Sequence, residues 1–230
     1  MRSFAFVILF LCTLAFLPAN VQAETVFIET GGDNTLIENP NGSLSNGAGT
    51  EIYVGRTNQQ MNSIRRGVIY FDVVSALPAD AIVESASLTL YMTKANNVSG
   101  MIMLNRLIDD WGEGASVSIG GKGAPAEPGD ATWIHTFYPL SEWSKDGGNY
   151  KGRVSASLAV GNVIGYYTFE STDRMIRDID YWLRHPEKNF GWILRGDESA
   201  PQTVVPFASR ENINPDWRPL LEIVYSVPVN

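Results

Sequence analysis

Cysteine is almost absent from this chain. The single one in 230 residues, Cys12, lies inside an apolar run near the N-terminus. The rest of the sequence therefore has no thiol for a disulfide or a cysteine-ligated zinc. Histidine is nearly as scarce, with only His135 and His185, too few nitrogens for a zinc centre. No apolar run reaches the roughly 20 residues of a comfortable membrane span. Basic charge is also in deficit: 17 Lys and Arg stand against 25 Asp and Glu, a formal net charge of −8. That field disfavours nucleic acid and anionic membranes as partners. Gly-x-Ser-x-Gly, a phosphate loop and the Asp-x-Asp-x-Asp-Gly spacing of an EF-hand are all missing.

What the N-terminus does contain is ordered. Arg2 precedes an apolar stretch at residues 4–17, with Cys12 and Thr13 its only mildly polar members. Pro18 and Asn20 break the stretch, and Val21-Gln22-Ala23 offers a cleavage site. This is the order of a secretory signal. The expectation is a signal peptide at residues 1–23, a secreted protein that is extracellular or periplasmic, and one domain at residues 24–230. Cys12 would leave with the signal, so packing, ion pairs or a bound ion must hold the domain. No second run approaches membrane length.

Through that domain the hydrophobic period is two, the signature of strands. Ala86, Leu88, Leu90 and Met92 share one face, and Ser87, Thr89, Tyr91 and Thr93 share the other. About ten such short segments, separated by Gly, Pro and Asn turns, predict a mostly β fold. The expected architecture is an antiparallel β-sandwich, jelly-roll-like. One segment departs from it. Met175, Ile176, Ile179, Trp182 and Leu183 follow helical spacing. Ser171 or Thr172 can cap a helix there, and His185-Pro186 stops it. One amphipathic helix is therefore predicted near residues 172–184. Residues 39–50 and 112–129 read as loops.

Several phrases occur in a particular order. Asp33-Asn34-Thr35-Leu36-Ile37-Glu38 comes first, then Val54-Gly55-Arg56 and Arg65-Arg66-Gly67-Val68-Ile69-Tyr70-Phe71-Asp72. Asp110-Trp111-Gly112-Glu113-Gly114, Gly129-Asp130-Ala131-Thr132-Trp133, Asn189-Phe190-Gly191-Trp192, Ser209-Arg210-Glu211 and Arg218-Pro219-Leu220 follow. Together they resemble the DNRLRE domain of secreted bacterial proteins, which is similar to family-ninety-six carbohydrate-binding modules. The resemblance implies a β-sandwich, an extracellular setting and binding of acidic polysaccharide such as alginate.

The residues themselves suggest where a glycan would bind. Guanidinium groups make planar, bidentate pairs with carboxylates, so Arg65, Arg66, Arg106 and Arg210 are candidate contacts for uronate sugars. The alternative is that each arginine pairs with an acid of its own fold. Trp143 and Tyr150, in or beside an irregular region, are candidate stacking rings. Asp109, Asp110 and Glu113 are candidate ligands for a structural Ca²⁺, although no cofactor is required. His135 and Tyr138 have the side chains of a uronate lyase, but on a straight strand they point to opposite faces and converge only if the chain turns before Pro139. The leading expectation is a secreted, non-catalytic module that binds polysaccharide or a cell-surface glycan. A structural or adhesive protein making protein contacts is the second reading, and a lyase or hydrolase the third.

Overall fold

The strands follow in chain order as β1 (Ala23–Glu29), β2 (Gly32–Ile37), β3 (Leu44–Ser45), β4 (Glu51–Arg56), β5 (Ile64–Tyr70), β6 (Ile82–Met92), β7 (Gly100–Arg106), β8 (Ala124–Pro125), β9 (His135–Phe137), β10 (Ser141–Glu142), β11 (Ala156–Val160), β12 (Gly165–Phe169), β13 (Trp192–Arg195), β14 (Val205–Ala208) and β15 (Leu220–Ser226). Two α-helices, α1 (Val73–Ala76) and α2 (Asp173–Arg184), interrupt them. These elements come from a computed structural model that describes residues 22–95 and 99–228. All of the expected signal peptide except Gln22 and Ala23 lies outside the described residues. No helix among those described is long and apolar enough to cross a membrane.

All strand pairings are antiparallel, and they form the two layers of a sandwich. In the first, β1 pairs β15, β15 pairs β6, and β6 also pairs β12 and β14. In the second, β5 pairs β2 and β13, and β7 lies between β13 and β11. Strand β4 belongs to both. Its first residues pair β14, whereas Gly55 and Arg56 pair β5. Gly55 sits at this crossing with φ of 118°, and a Cβ there would lie 2.6 Å from the Thr203 carbonyl oxygen. Only glycine tolerates both conditions.

The two inner faces meet in one apolar core. Ile52, Val54, Leu88, Leu90, Met92, Phe207, Leu221 and Ile223 come from the first layer. Ile69, Ile102, Leu104, Ala156, Leu158, Trp192 and Leu194 come from the second. Helix α2 adds Met175, Ile179 and Trp182 to the same core, the stripe that the sequence spacing predicts. Trp182 meets Trp192 edge-on, with centroids 4.6 Å apart.

The start of α2 is fixed by a side chain. Thr172 Oγ1 accepts the Met175 N–H at 3.1 Å and donates to the Ser155 carbonyl at 2.5 Å. Asp173 in the first turn and Arg184 in the last complement the helix dipole. Thr172→Ala therefore removes a cap and leaves a carbonyl without its donor. We expect a loss of about 1–2 kcal/mol, read as a lower urea midpoint with unchanged slope. An unchanged midpoint would show the cap to be idle.

The second sheet is covered on its outer face at β2, β5 and β13. Leu36, Val68 and Ile193 point outward from it and pack against Leu107, Ala131 and Trp143. The irregular stretch from Leu107 to Tyr150 thus forms a cover, and a smaller apolar core lies beneath it. Trp143 is buried there, only 4% exposed, with its Nε1 donating to the Thr132 carbonyl at 2.9 Å. It is an anchor of the cover rather than a free stacking ring. Exposed sheet surface remains on the first layer and, on the second, at Met101, Ser157 and Ala159 of β7 and β11.

Candidate functional site

The four arginines singled out by sequence do not share a groove. Arg66 forms a bidentate pair with Glu198, at 2.7 and 2.9 Å, and donates to the Gly147 carbonyl at 2.7 Å. Its guanidinium also lies 4.8 Å from the Trp133 ring. Burial opposes its charge, but the Glu198 hydrogen bonds and charge outweigh this and hold its pKa above the ordinary value. Arg106 faces α2, with Nε 3.2 Å from Asp178 Oδ1. The angle there falls outside hydrogen-bond geometry, so the contact is a charge pair. The guanidinium also covers the Tyr181 ring at 3.9 Å. Arg210 pairs with Glu113 at 2.7 Å and Glu211 at 3.5 Å.

Arg65 is the exception, with no carboxylate partner among its hydrogen bonds. It is 1% exposed, and its donors go to the carbonyls of Gly121, Asn62 and Ile64 and to Gln59 Oε1. Burial pushes it down to about 10, with the charge of Glu38 partly offsetting. It ties two loops together from below. Tyr150 is likewise built in. It bridges to Leu107, and Arg195 lies 4.6 Å from its ring centroid.

The acidic trio is dispersed as well. Asp109 accepts from Asn149 Nδ2 at 3.0 Å and from Ser144, while Asp110 accepts the Trp111 N–H at 2.9 Å. Glu113 accepts the Asp33 N–H at 2.9 Å and the Arg210 guanidinium. Among the described residues no three His, Cys, Asp or Glu side chains converge as metal ligands.

These charges instead build a buried polar knot that pins the cover. Asn34 Nδ2 donates to the Glu113 carbonyl at 2.7 Å and to Ser45 Oγ at 3.0 Å. Asp33 Oδ2 accepts the Arg210 N–H at 2.8 Å. Gly114 has φ of 73°, and a Cβ there would sit 1.6 Å from Asp130 Oδ1, so the loop needs glycine. The Asp33-Asn34, Glu113, Asp130 and Arg210 phrases are thus scaffold in this chain. Asp33 is 1% exposed. Burial first, then the charges of Glu211 and Glu113, push its carboxyl well above the ordinary range, against the opposing Arg210 contacts.

A carboxyl raised in this way stabilises the fold fully below its unfolded value, near pH 4, and loses that contribution as pH climbs through its folded value. Asp33→Asn keeps an oxygen for the Arg210 N–H and cannot ionise. We expect the variant to lose less stability than the parent between acidic and neutral pH. Urea midpoints at both ends test this, and equal slopes would refute it.

His135 and Tyr138 meet, because β9 ends at Phe137 and the chain turns there rather than running on as a straight strand; the rings stand edge to face with centroids 5.1 Å apart. Thr132 Oγ1 accepts the N–H groups of Ile134 and His135 at 3.2 and 2.9 Å, so its one proton points at His135 Nδ1, 3.0 Å away. In neutral His135, Nδ1 then accepts and Nε2 carries the hydrogen. Its basic nitrogen is already occupied.

The open chemistry lies on the outer face of the first sheet. A cleft of about 560 Å³ is walled by Tyr53, Gln59, Lys94, Gly121 and Lys122. A second of about 330 Å³ adjoins it, sharing Gln59 and Lys122. Arg65, beneath them, holds Gln59 and Gly121 in place. The carboxylates here are spent internally. Glu51 accepts from the Tyr53 and Thr93 hydroxyls, and Glu38 accepts the Ile64 N–H at 2.9 Å. Lys94 and Lys122 are exposed, and neither forms an ion pair among the described residues. Burial and the Glu51 carboxylate push the Tyr53 phenol upward, so it stays a donor.

Beside the cleft stands an aromatic cluster. Trp217 lies parallel to Tyr91 with centroids 4.3 Å apart and planes 3° apart. Tyr166 meets Tyr91 edge-on at 4.9 Å and is 59% exposed. The Tyr166 hydroxyl donates to the Asp216 carbonyl at 3.2 Å, which fixes its tip. Tyr91 and Thr93 are two residues apart on one face of the chain leaving β6, roughly 7 Å at strand spacing. Cleft and rings therefore form one surface. Sequence reasoning singled out none of Trp217, Tyr91, Lys94 and Lys122 as site residues. The outward face at Tyr91 and Thr93 was legible from period-two alternation; the meeting with Trp217 is set by a distant turn. No protein-family model matches this chain, and no curated protein matches it.

Proposed function

We propose that this is a secreted, non-catalytic module that binds acidic, uronate-containing polysaccharide on the outer face of its first sheet. The observation that carries the reading is the adjacency of two exposed lysines, without an ion pair among the described residues, and three ordered aromatic rings on that face. Sugar rings present flat C–H faces that stack on aromatic side chains, while carboxylates seek ammonium groups. Amides of Asn58 and Gln59 in the cleft wall suit sugar hydroxyls. The rings are held by one another and by Asp216, so little side-chain entropy is lost on binding. The resemblance to DNRLRE domains points to the same ligand class, and the expected signal peptide to the same setting.

Affinity electrophoresis tests this directly. The protein should be retarded in gels containing alginate or pectin and run freely in gels of a neutral dextran. Free migration in every polyuronate gel would overturn the reading and favour a structural or adhesive role.

A further inference from the structure

A small recess of about 170 Å³ lies between the end of β7, helix α2 and the segment leading into β13. Arg106, Lys151 and Lys188 line it, together with Tyr181 and Phe190. No acidic residue lines it. In a chain of net charge −8, three cations around one recess run against the average field.

Arg106 has donors to spare. It lies on the same face of β7 as the core residue Leu104, and its guanidinium is mostly buried. Nε turns to Asp178 Oδ1 at 3.2 Å, and one face of the guanidinium covers the Tyr181 ring. Nε is buried without a hydrogen bond. The two terminal amino groups make no hydrogen bond among the described residues either, but unlike Nε they keep surface open to solvent. The other oxygen of Asp178 is engaged elsewhere: Oδ2 accepts from the Ser155 hydroxyl at 2.5 Å and from Trp192 Nε1 at 3.0 Å.

The two lysines are held beside Arg106 by the backbone and by a ring. The Lys151 N–H donates to the Arg106 carbonyl at 2.8 Å, and the Lys151 carbonyl accepts from Asn105 Nδ2 at 3.0 Å. Lys188 Nζ lies 5.9 Å from the Phe190 ring centroid, a contact that leaves its N–H donors available to an anion. Both side chains are exposed, and neither forms an ion pair among the described residues.

Three cations against the one carboxylate of Asp178 leave a surplus of two positive charges. A guanidinium fork and ammonium point charges are the donors that oxyanions take. A uronate carboxylate brings one negative charge and is fixed directly on its ring. A phosphate monoester brings nearly two at neutral pH and above, with three acceptor oxygens. The small volume admits one such group rather than a length of sugar chain.

We propose that this recess binds a phosphate dianion. The terminal amino groups of Arg106 form the fork, and Lys151 and Lys188 supply the flanking charge. None of these residues belongs to the polyuronate surface, so either reading can fail alone.

Calorimetric titration of the protein at pH 8 and low salt, with inorganic phosphate, glucose 6-phosphate and glucose 6-sulfate, tests it. Both phosphates should bind, and the sulfate ester, with one charge fewer, should bind about tenfold more weakly. An ester as tight as the free ion marks a phosphorylated ligand, and a tighter free ion marks inorganic phosphate. Lys151→Ala and Lys188→Ala should each weaken phosphate binding about three- to fivefold, the scale of one exposed charge contact, with normal unfolding midpoints. Lys151→Arg and Lys188→Arg should keep the affinity. Arg106→Lys retains a positive charge beside Asp178 but loses the fork, and should weaken binding about tenfold. No heat with either phosphate would overturn the proposal. So would a sulfate ester that binds as tightly as the phosphate ester, or full affinity in both lysine-to-alanine variants.

Discussion

Arg66→Ala should lower the unfolding free energy by about 3–5 kcal/mol, the cost of removing one partner from a buried pair. The Arg66 and Glu198 side chains are 11% and 22% exposed, and the substitution leaves the Glu198 carboxylate and the Gly147 carbonyl without their donors. It also leaves the Trp133 ring uncovered at the centre of the cover. Arg66→Lys should recover only part of the loss, because an ammonium cannot reproduce the bidentate fork. Urea unfolding gives the number. The polysaccharide affinity of the folded fraction should be unchanged. A variant of normal stability that no longer binds would return Arg66 to the ligand surface.

Trp217→Ala carries the largest expected effect on binding, a loss of about thirtyfold, the scale of an aromatic hot spot of roughly 2 kcal/mol. The indole lies over Tyr91 on the outside of the sheet, so its removal should cost little stability. Lys94→Ala and Lys122→Ala should each reduce polyuronate affinity about three- to tenfold and flatten its dependence on salt, because these are rim charges. Calorimetry on alginate oligomers separates the two classes. The aromatic variant should lose affinity at every salt concentration, and the lysine variants mainly at low salt. Trp217→Ala with unchanged affinity would remove the platform from the site.

Much of the fold was legible in the sequence because it depends on local patterns. The alternation in β6 places Leu88, Leu90 and Met92 in the core, and the spacing from Met175 to Leu183 gives α2 its buried stripe. Strand β2 carries no period-two alternation: Gly32-Asp33-Asn34-Thr35 is polar throughout, yet every residue of β2 is buried. What buries them is the cover, whose Glu113 and Ala131 carbonyls satisfy Asn34. The segment at residues 131–137 shows the reverse. Its apolar residues predict a long strand, but only His135–Phe137 pairs, in a two-stranded ribbon with β10.

The candidate site was less legible for the same reason. Arginine chemistry identified residues able to hold carboxylates, and Arg66 and Arg210 do so within the fold, with Glu198 and Glu113. Those partners lie 132 and 97 residues away in sequence, beyond any spacing rule. Lys94 and Lys122 are distinguished by where the fold puts them, on one cleft wall whose carboxylates, Glu51 and Glu38, accept hydrogen bonds from Tyr53, Thr93 and Ile64. Trp217 gains its role from Tyr91, far away on another element.

The central claim is where the polysaccharide lies. A chemical-shift map of isotope-labelled protein titrated with a polyuronate oligomer tests it most directly. Perturbations should gather at Tyr91, Lys94, Lys122, Tyr166 and Trp217, with Arg66, Arg106 and Trp143 unmoved. Shifts centred on the cover or on the buried arginines, or none at saturating oligomer, would contradict it.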